Sequence, residues 1–138
     1  MIKIQKEDFV IDQEIENIKN ISSNIGATST FIGYVRKNNN KKIVKSIQIE
    51  VYKEMAIKNL NEICNEAKTK WNLINSLVIH RYGKLYVNEK IVLVSTFAEH
   101  RKNSFDSCNY IMEYLKKSAP FWKKEFYKDE HEWLQNLD

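Results

Sequence analysis

Ile11, Ile15 and Ile18 recur at intervals of three or four residues, as one face of a helix does, and Gly26 offers the left-handed residue that commonly closes a helix. The spacing therefore predicts a first helix that ends near Gly26, preceded by a short strand at Ile2 and Ile4. Residues 28–36 are rich in β-branched and aromatic side chains, and a polar turn at 37–42 separates them from 43–52, which predicts a hairpin. In its second strand Ile43, Ile47, Ile49 and Val51 share one face, with Ser46, Gln48 and Glu50 on the other, so one face is buried and one is wetter. From Glu54 the period changes. Ala56, Leu60, Ile63, Ala67 and Trp71 fall on one stripe, and Lys58, Glu62, Asn65 and Lys68 fall elsewhere, which predicts an amphipathic helix lying on the sheet. Residues 77–82 and 91–97 read as two further strands joined through Gly83 and a turn at Asn88 and Glu89, and the second, apolar on both faces, reads as central. Phe105, Cys108, Met112 and Leu115, with Ile111 beside them, restore helical spacing from about Arg101, and this helix must finish before Pro120. Residues 121–127 resume as a strand, and 131–138 read either as a short helix or as a loose end. The sum is an α+β fold: a two-layer domain, 1–138, with a mostly antiparallel sheet and helices packed on it.

Composition narrows the class. A chain of 138 residues, 43% hydrophobic and 29% charged with three Gly and one Pro, has the make-up of one ordered globular domain. Its longest apolar runs, such as 91–94, are strand-sized and far short of the roughly 20 residues that a membrane helix needs. The first residues carry acids early and lack the charged, apolar and small-residue order of a signal peptide, so a cytoplasmic protein that does not enter a membrane is expected. Cys64 and Cys108 each lie in a helical pattern, without a Cys-x-x-Cys spacing, and read as core thiols. There is no His-x-x-x-His pair, no Gly-rich phosphate loop and no Gly-x-Ser-x-Gly elbow. Zinc chemistry, nucleotide hydrolysis and serine hydrolysis thus lack support, and neither metal nor cofactor is expected.

Charge changes the picture through its placement. Lys and Arg number 22 against 18 Asp and Glu, a mild excess of +4. Arg101, Lys102, Lys116, Lys117, Lys123, Lys124 and Lys128 are gathered in the last third, and Arg36 closes an earlier strand. At a strand end a guanidinium can fork onto two oxygens of a phosphate or carboxylate, or simply be solvated in the turn. Glu99, His100 and Arg101 stand where a strand passes into a helix, and open backbone N–H groups there favour an anion. Lys116 and Lys123 bracket the break at Pro120, so a reversal brings both amines to one place. Clustered lysines hold protons less tightly and can serve as base or nucleophile, although dipole compensation alone also puts lysines at a helix end. Phe121 and Trp122 could wall a flat ring, and Trp122 reads rather as core.

These residues resemble the large, catalytic subunit family of molybdopterin synthase. The family has a Gly-Lys-Val-Arg strand end, a His-Arg pair opening a helix, and a Tyr-Leu-Lys…Ala-Pro-x-Trp-Lys-x-Glu segment. This chain reads Gly33-Tyr34-Val35-Arg36, His100-Arg101, and Tyr114-Leu115-Lys116 followed by Ala119-Pro120-Phe121-Trp122-Lys123-Lys124-Glu125. His80-Arg81-Tyr82-Gly83-Lys84-Leu85 is similar to a further family segment. The resemblance implies the α/β hammerhead fold and a sulfurtransferase of molybdenum cofactor biosynthesis. Two sulfurs pass from the C-terminal Gly-Gly thiocarboxylate of a small ubiquitin-like subunit to cyclic pyranopterin monophosphate, forming the dithiolene of molybdopterin. It also implies a homodimer at the core of a heterotetramer, so that some site residues come from the neighbouring chain. On this likeness Lys116 and Lys123 are the catalytic pair. Lys116 lies beside the thiocarboxylate for proton transfer or transient attack, and Lys123 polarises the pterin side chain. Arg36, His100, Arg101, Lys124, Glu125 and Tyr34 are expected to hold substrate. Tyr34 departs from the family's usual Lys, and the chain ends at Asp138 where many relatives run on into a basic tail.

The competing class is a basic module that binds nucleic acid or another anionic partner without catalysis. Its mark would be aromatics alternating along one exposed strand. The aromatics here are read instead as spread over helix stripes, strands and turns, and +4 is weak for a phosphate-backbone binder.

Overall fold

A computed structural model describes residues 1–127 and 131–133. The most apolar stretches form its first sheet. Strand β1 (Ile2–Gln5) pairs in parallel with β6 (Asn75–Arg81), β6 pairs antiparallel with β8 (Lys90–Ala98), and β8 pairs antiparallel with β2 (Ala27–Tyr34). As its two-sided apolar pattern predicts, β8 lies in the sheet interior, buried from Ile91 to Ala98. Both faces of this sheet are covered. Helix α1 (Ile11–Lys19) closes one face over Leu77, Ile79, Leu93 and Phe97. Helices α2 (Lys53–Trp71) and α3 (Arg101–Lys117) close the other, where Ala56, Leu60 and Ala67 are fully buried in the stripe read from the sequence. Leu60 contributes about 2 kcal/mol by leaving water. No helix among the described residues is long and apolar enough to cross a membrane.

The strands left over build a second sheet in the order β10 (His131–Trp133), β9 (Phe121–Phe126), β5 (Ser46–Val51) and β7 (Gly83–Tyr86), all antiparallel. The α+β, mostly antiparallel architecture is thus present, with the described strands divided between two four-stranded sheets and one small hairpin rather than gathered in one sheet. The expected hairpin between 28–36 and 43–52 does not form, because β2 pairs with β8 and β5 pairs with β9 and β7. Only the turn itself does so. Strands β3 (Asn38–Asn39) and β4 (Lys42–Ile43) make a minimal hairpin through Asn40 and Lys41, whose φ values of 49° and 67° suit a tight turn of primed type. Ile43, outside β5, is exposed rather than buried with Ile47 and Ile49. Residues 131–133 are strand rather than helix or loose end, while 134–138 and Lys128 lie outside the described residues.

Two further readings are corrected by backbone geometry. Helix α1 stops at Asn20 in ordinary right-handed conformation, so Gly26 does not cap it. Gly26 is needed for closeness. Its N–H donates to the Ala98 carbonyl at 2.9 Å, and a Cβ there would lie 2.3 Å from the Glu99 carbonyl oxygen. The left-handed cap belongs to α2, at Asn72 with φ 52°. In α3 the buried stripe is Ser104, Ser107, Cys108, Ile111 and Leu115, so Phe105 is exposed. The two serines let the helix approach the first sheet closely: Ser104 and Ser29 hydroxyls meet at 2.7 Å, and Thr96 Oγ1 donates to the Ser104 carbonyl at 2.7 Å. Cys64 and Cys108 are buried free thiols, as their positions suggested.

Candidate active site

Helix α3 ends at Lys117 because Pro120 has no N–H to continue it, and the Ser118 N–H instead closes the last turn on the Tyr114 carbonyl at 2.9 Å. The chain then reverses into β9, whose pairing with β5 fixes which side chains face in. Phe121 and Glu125 are buried on the inner face with Lys123 half-buried between them, and Trp122, Lys124 and Phe126 point out. Trp122, read as core from the sequence, is 53% exposed because the inner positions of β9 are held by its charged residues.

Burial lowers the proton affinity of Lys123. The Glu125 carboxylate acts against this, whereas the charges of Lys116 and Arg36 push the same way. The turn at Pro120 and the stretch just past β2 therefore bring three cations, from α3, from β9 and from that stretch, into electrostatic reach of one another. Glu125 is held by two donors to the same oxygen, Asn39 Nδ2 at 2.7 Å and Tyr127 Oη at 2.6 Å. Because Asn39 belongs to β3, the small hairpin after Arg36 is tied to the strand that carries Lys123. Lys116 also borders a cavity of about 280 Å³ between α3 and β2, with Phe31, Phe105 and Met112 in its walls.

His80 belongs to this site, though its type and spacing alone gave no reason to select it. Its ring stacks on Phe121 with centroids 3.8 Å apart, and Nδ1 donates to the Arg81 carbonyl at 2.8 Å, leaving Nε2 without a hydrogen. Burial pushes its pKa down to about 3, against the Arg81 hydrogen bond and with the charge of Lys123. The ring is neutral and forms an uncharged floor beneath Phe121. A signal existed in the His80-Arg81 pair at a strand end, where the alternation turns the histidine toward β9. Arg81 is also buried, but it donates to the Lys6 and Lys90 carbonyls at 3.0 and 2.9 Å and pairs with Glu89, a clasp between strand ends.

The other expected site residues are more dispersed. Tyr34 is half-exposed at the end of β2, two residues before Arg36. Lys124 lies on the outer face of β9, over the rings of Phe126 and Trp133 at 5.7 and 5.2 Å. His100 and Arg101 are exposed at the start of α3, where no side chain caps the helix and its first turn holds no acid. Lys116 is fifteen helical steps on from Arg101, about 22 Å. Within one chain, then, the His-Arg pair and the lysine pair are at opposite ends of α3.

The family model of the MoaE protein matches residues 4–118. A molybdopterin synthase catalytic subunit of Vibrio cholerae is 41% identical over 137 residues, covering 99% of this chain and 91% of the relative. Among solved structures, the molybdopterin biosynthesis MoaE protein from Burkholderia ambifaria superposes with a TM-score of 0.85 at 37% identity, over 100% of this chain and 90% of that one. The molybdopterin synthase crystal structure from Staphylococcus aureus superposes with a TM-score of 0.89 at 30% identity, over 96% and 95% of the two chains.

Proposed function

The chain belongs to the MoaE protein family, and on that premise we propose that Lys116 and Lys123 catalyse sulfur transfer from a small ubiquitin-like subunit to cyclic pyranopterin monophosphate. The observation that carries this reading is the convergence of Lys116 and Arg36 on the half-buried Lys123. The protein is a sulfurtransferase of molybdenum cofactor biosynthesis, and in this reading 1–138 works as one domain in the cytoplasm. The Gly-Gly thiocarboxylate of the small subunit ends in an anion that the Lys116 amine meets, positioned for proton transfer or for attack at the tail carbonyl. Lys123 supplies acid. An ammonium that burial and neighbouring cations disfavour gives up its proton readily, here to oxygen of the pterin side chain as sulfur replaces it. The cyclic phosphate falls to Arg36, with the Tyr34 phenol nearby.

The remaining anion contacts come from a second copy. His100 and Arg101 are a helix length from their own Lys116, which supports a two-fold pair in which each copy lends this corner to the other's site. Such a homodimer, with a small subunit on each outer side, is a heterotetramer. Glu125 acts through Lys123: it sets that ammonium's acidity and is itself fixed by Asn39 and Tyr127. Lys124, facing away, is left out of the substrate pocket.

The direct test mixes purified protein with cyclic pyranopterin monophosphate and thiocarboxylated small subunit and assays for molybdopterin. Product is expected, and its absence would end the proposal. Glu125→Gln keeps an acceptor for Asn39 and Tyr127 but removes the charge that favours the Lys123 ammonium. The alkaline limb of the pH–rate profile, where the Lys123 acid is lost, is expected to move down. An unmoved limb would detach Glu125 from that acid.

A further inference from the structure

Residues 36–45 hold five cations, Arg36, Lys37, Lys41, Lys42 and Lys45, and no acid. The fold makes of them a short arm that is fixed at its base. Val35, buried, donates to the Glu89 carbonyl at 3.0 Å and accepts the Asn88 N–H at 2.9 Å, which ties the arm to the turn after β7. On the return Val44, also buried, donates to the Lys37 carbonyl at 2.6 Å, and the Lys45 N–H donates to the Phe126 carbonyl of β9 at 2.8 Å. The tip is held by side chains instead. Asn39 and Lys42 are opposed in register, so they project from one face of the hairpin, and that face rests on residues 125–127. Asn39 Nδ2 donates to Glu125 at 2.7 Å, and Lys42 Nζ stands 4.9 Å from the Tyr127 ring centroid. Glu125 and Tyr127 beneath are 6% and 7% exposed, whereas Ile43 on the outer face is 60% exposed.

We infer that the β3–β4 hairpin is a strap closed over the inner side of β9 and that Asn39 is its latch, a positioning residue that keeps water from the Lys123 amine. The inference rests on the sulfur-transfer reading and assigns the part of the site that seals its acid. Electrostatics supplies the reason for a latch. Like charges repel, so the cations of the arm and the lysines of the site oppose closure. Glu125 is the buried anion between them, and an amide donor on a carboxylate makes a strong, directional bond. The same bond gives the strap its consequence. Burial is the largest cause of the low proton affinity of Lys123, ahead of the charges of Glu125, Lys116 and Arg36. Buried His80, stacked on Phe121, is neutral and adds no charge. A strap that swings off lets water reach the amine and restores its affinity for protons, while those charges stay in place. The latch thus keeps Lys123 a ready proton donor, and release of the hairpin opens a way in for substrate.

Acetylation by trace acetic anhydride, followed by mass spectrometry across pH, reads both the access and the proton affinity of each lysine amine, with neither substrate nor small subunit present. Asn39→Ala is expected to acetylate Lys123 about ten-fold faster than wild type once the amine is free, the factor by which loss of a charge-assisted hydrogen bond multiplies local opening. The titration midpoint of Lys123 should rise, and the alkaline limb of the pH–rate profile with it, opposite in direction to Glu125→Gln. Tyr127→Phe is the counterpart. It removes the other donor to the same Glu125 oxygen, leaves the hairpin latched, and should leave Lys123 acetylation near wild type. Unchanged Lys123 acetylation in Asn39→Ala overturns the strap. So does an equal rise in Tyr127→Phe, which would make Asn39 no more than a partner of Glu125. Asn39→Leu, similar in size and without a donor, decides if Asn39→Ala fails to fold. Wild-type protein that forms no molybdopterin would instead remove the sulfur-transfer reading and leave the acetylation result standing, so the two failures are distinguishable.

Discussion

Lys116→Ala is expected to lower sulfur transfer by about two to four orders of magnitude while leaving folding and small-subunit binding in place, since removal of a positioned proton-transfer group typically costs that much. The side chain is half-buried at the last turn of α3, where truncation opens no core cavity. A single-turnover assay with thiocarboxylated subunit reads the chemical step, and transfer at a near wild-type rate would remove Lys116 from it. The residual activity carries a second signature. Lys116 is one of the cations that lower the proton affinity of Lys123, so its loss raises that affinity and moves the alkaline limb up. This is opposite in sign to the Glu125→Gln shift. Lys116→Arg separates charge from proton transfer: guanidinium keeps the first and cannot lose its proton, so little activity should return.

Acid should destabilise this protein through His80. In the fold the ring takes a proton only near pH 3, against about 6.5 in the unfolded chain. Between those values the unfolded chain binds more protons, so stability falls as pH falls, by about 1.4 kcal/mol per unit for this one group. For a domain held by some 5–15 kcal/mol, two units below 6.5 is a large fraction. His80→Gln removes the titration. Its stability is lower at neutral pH through the lost stack on Phe121, yet its decline between pH 6.5 and 4 should be shallower by that amount per unit. Urea unfolding at several pH values gives both slopes, and equal slopes would acquit the histidine.

The parts of the fold legible in the sequence are those written in a short period. Helix α2 announced itself through Ala56, Leu60 and Ala67, and β8 through its unbroken apolar run. Strand partnership is not so written. Alternation says that β2 and β5 are strands but not that they enter different sheets, and the Asn-rich turn between them really does turn, which made the hairpin plausible. Where small polar residues pack, as Ser104 and Ser107 do beneath α3, counting apolar residues chose Phe105 instead. At β9 the pattern is inverted. Charges occupy the inside, so the large rings are displaced outward, and Trp122 could not be placed by hydrophobicity. Lys116, Lys123 and Arg36 could be singled out because they stand at or near element ends, and the fold brings their charges within reach of one another. His80 was passed over because a neutral buried ring looks like core, and His100 with Arg101 are at the far end of α3, a separation only geometry could reveal.

Helix α3 also behaves as a gauge. It carries Arg101 at its first residue and Lys116 in its last turn, and in the proposed pair each site takes one end from each copy. Inserting a single residue would turn one end by about 100° and lengthen the rod by about 1.5 Å. Both sites would be thrown out of register together, since the same rod is used twice. The loops of such a protein can drift in length, whereas the number of residues from 101 to 116 is held by symmetry, as the bore of a two-ended tool is held by having to fit at both ends.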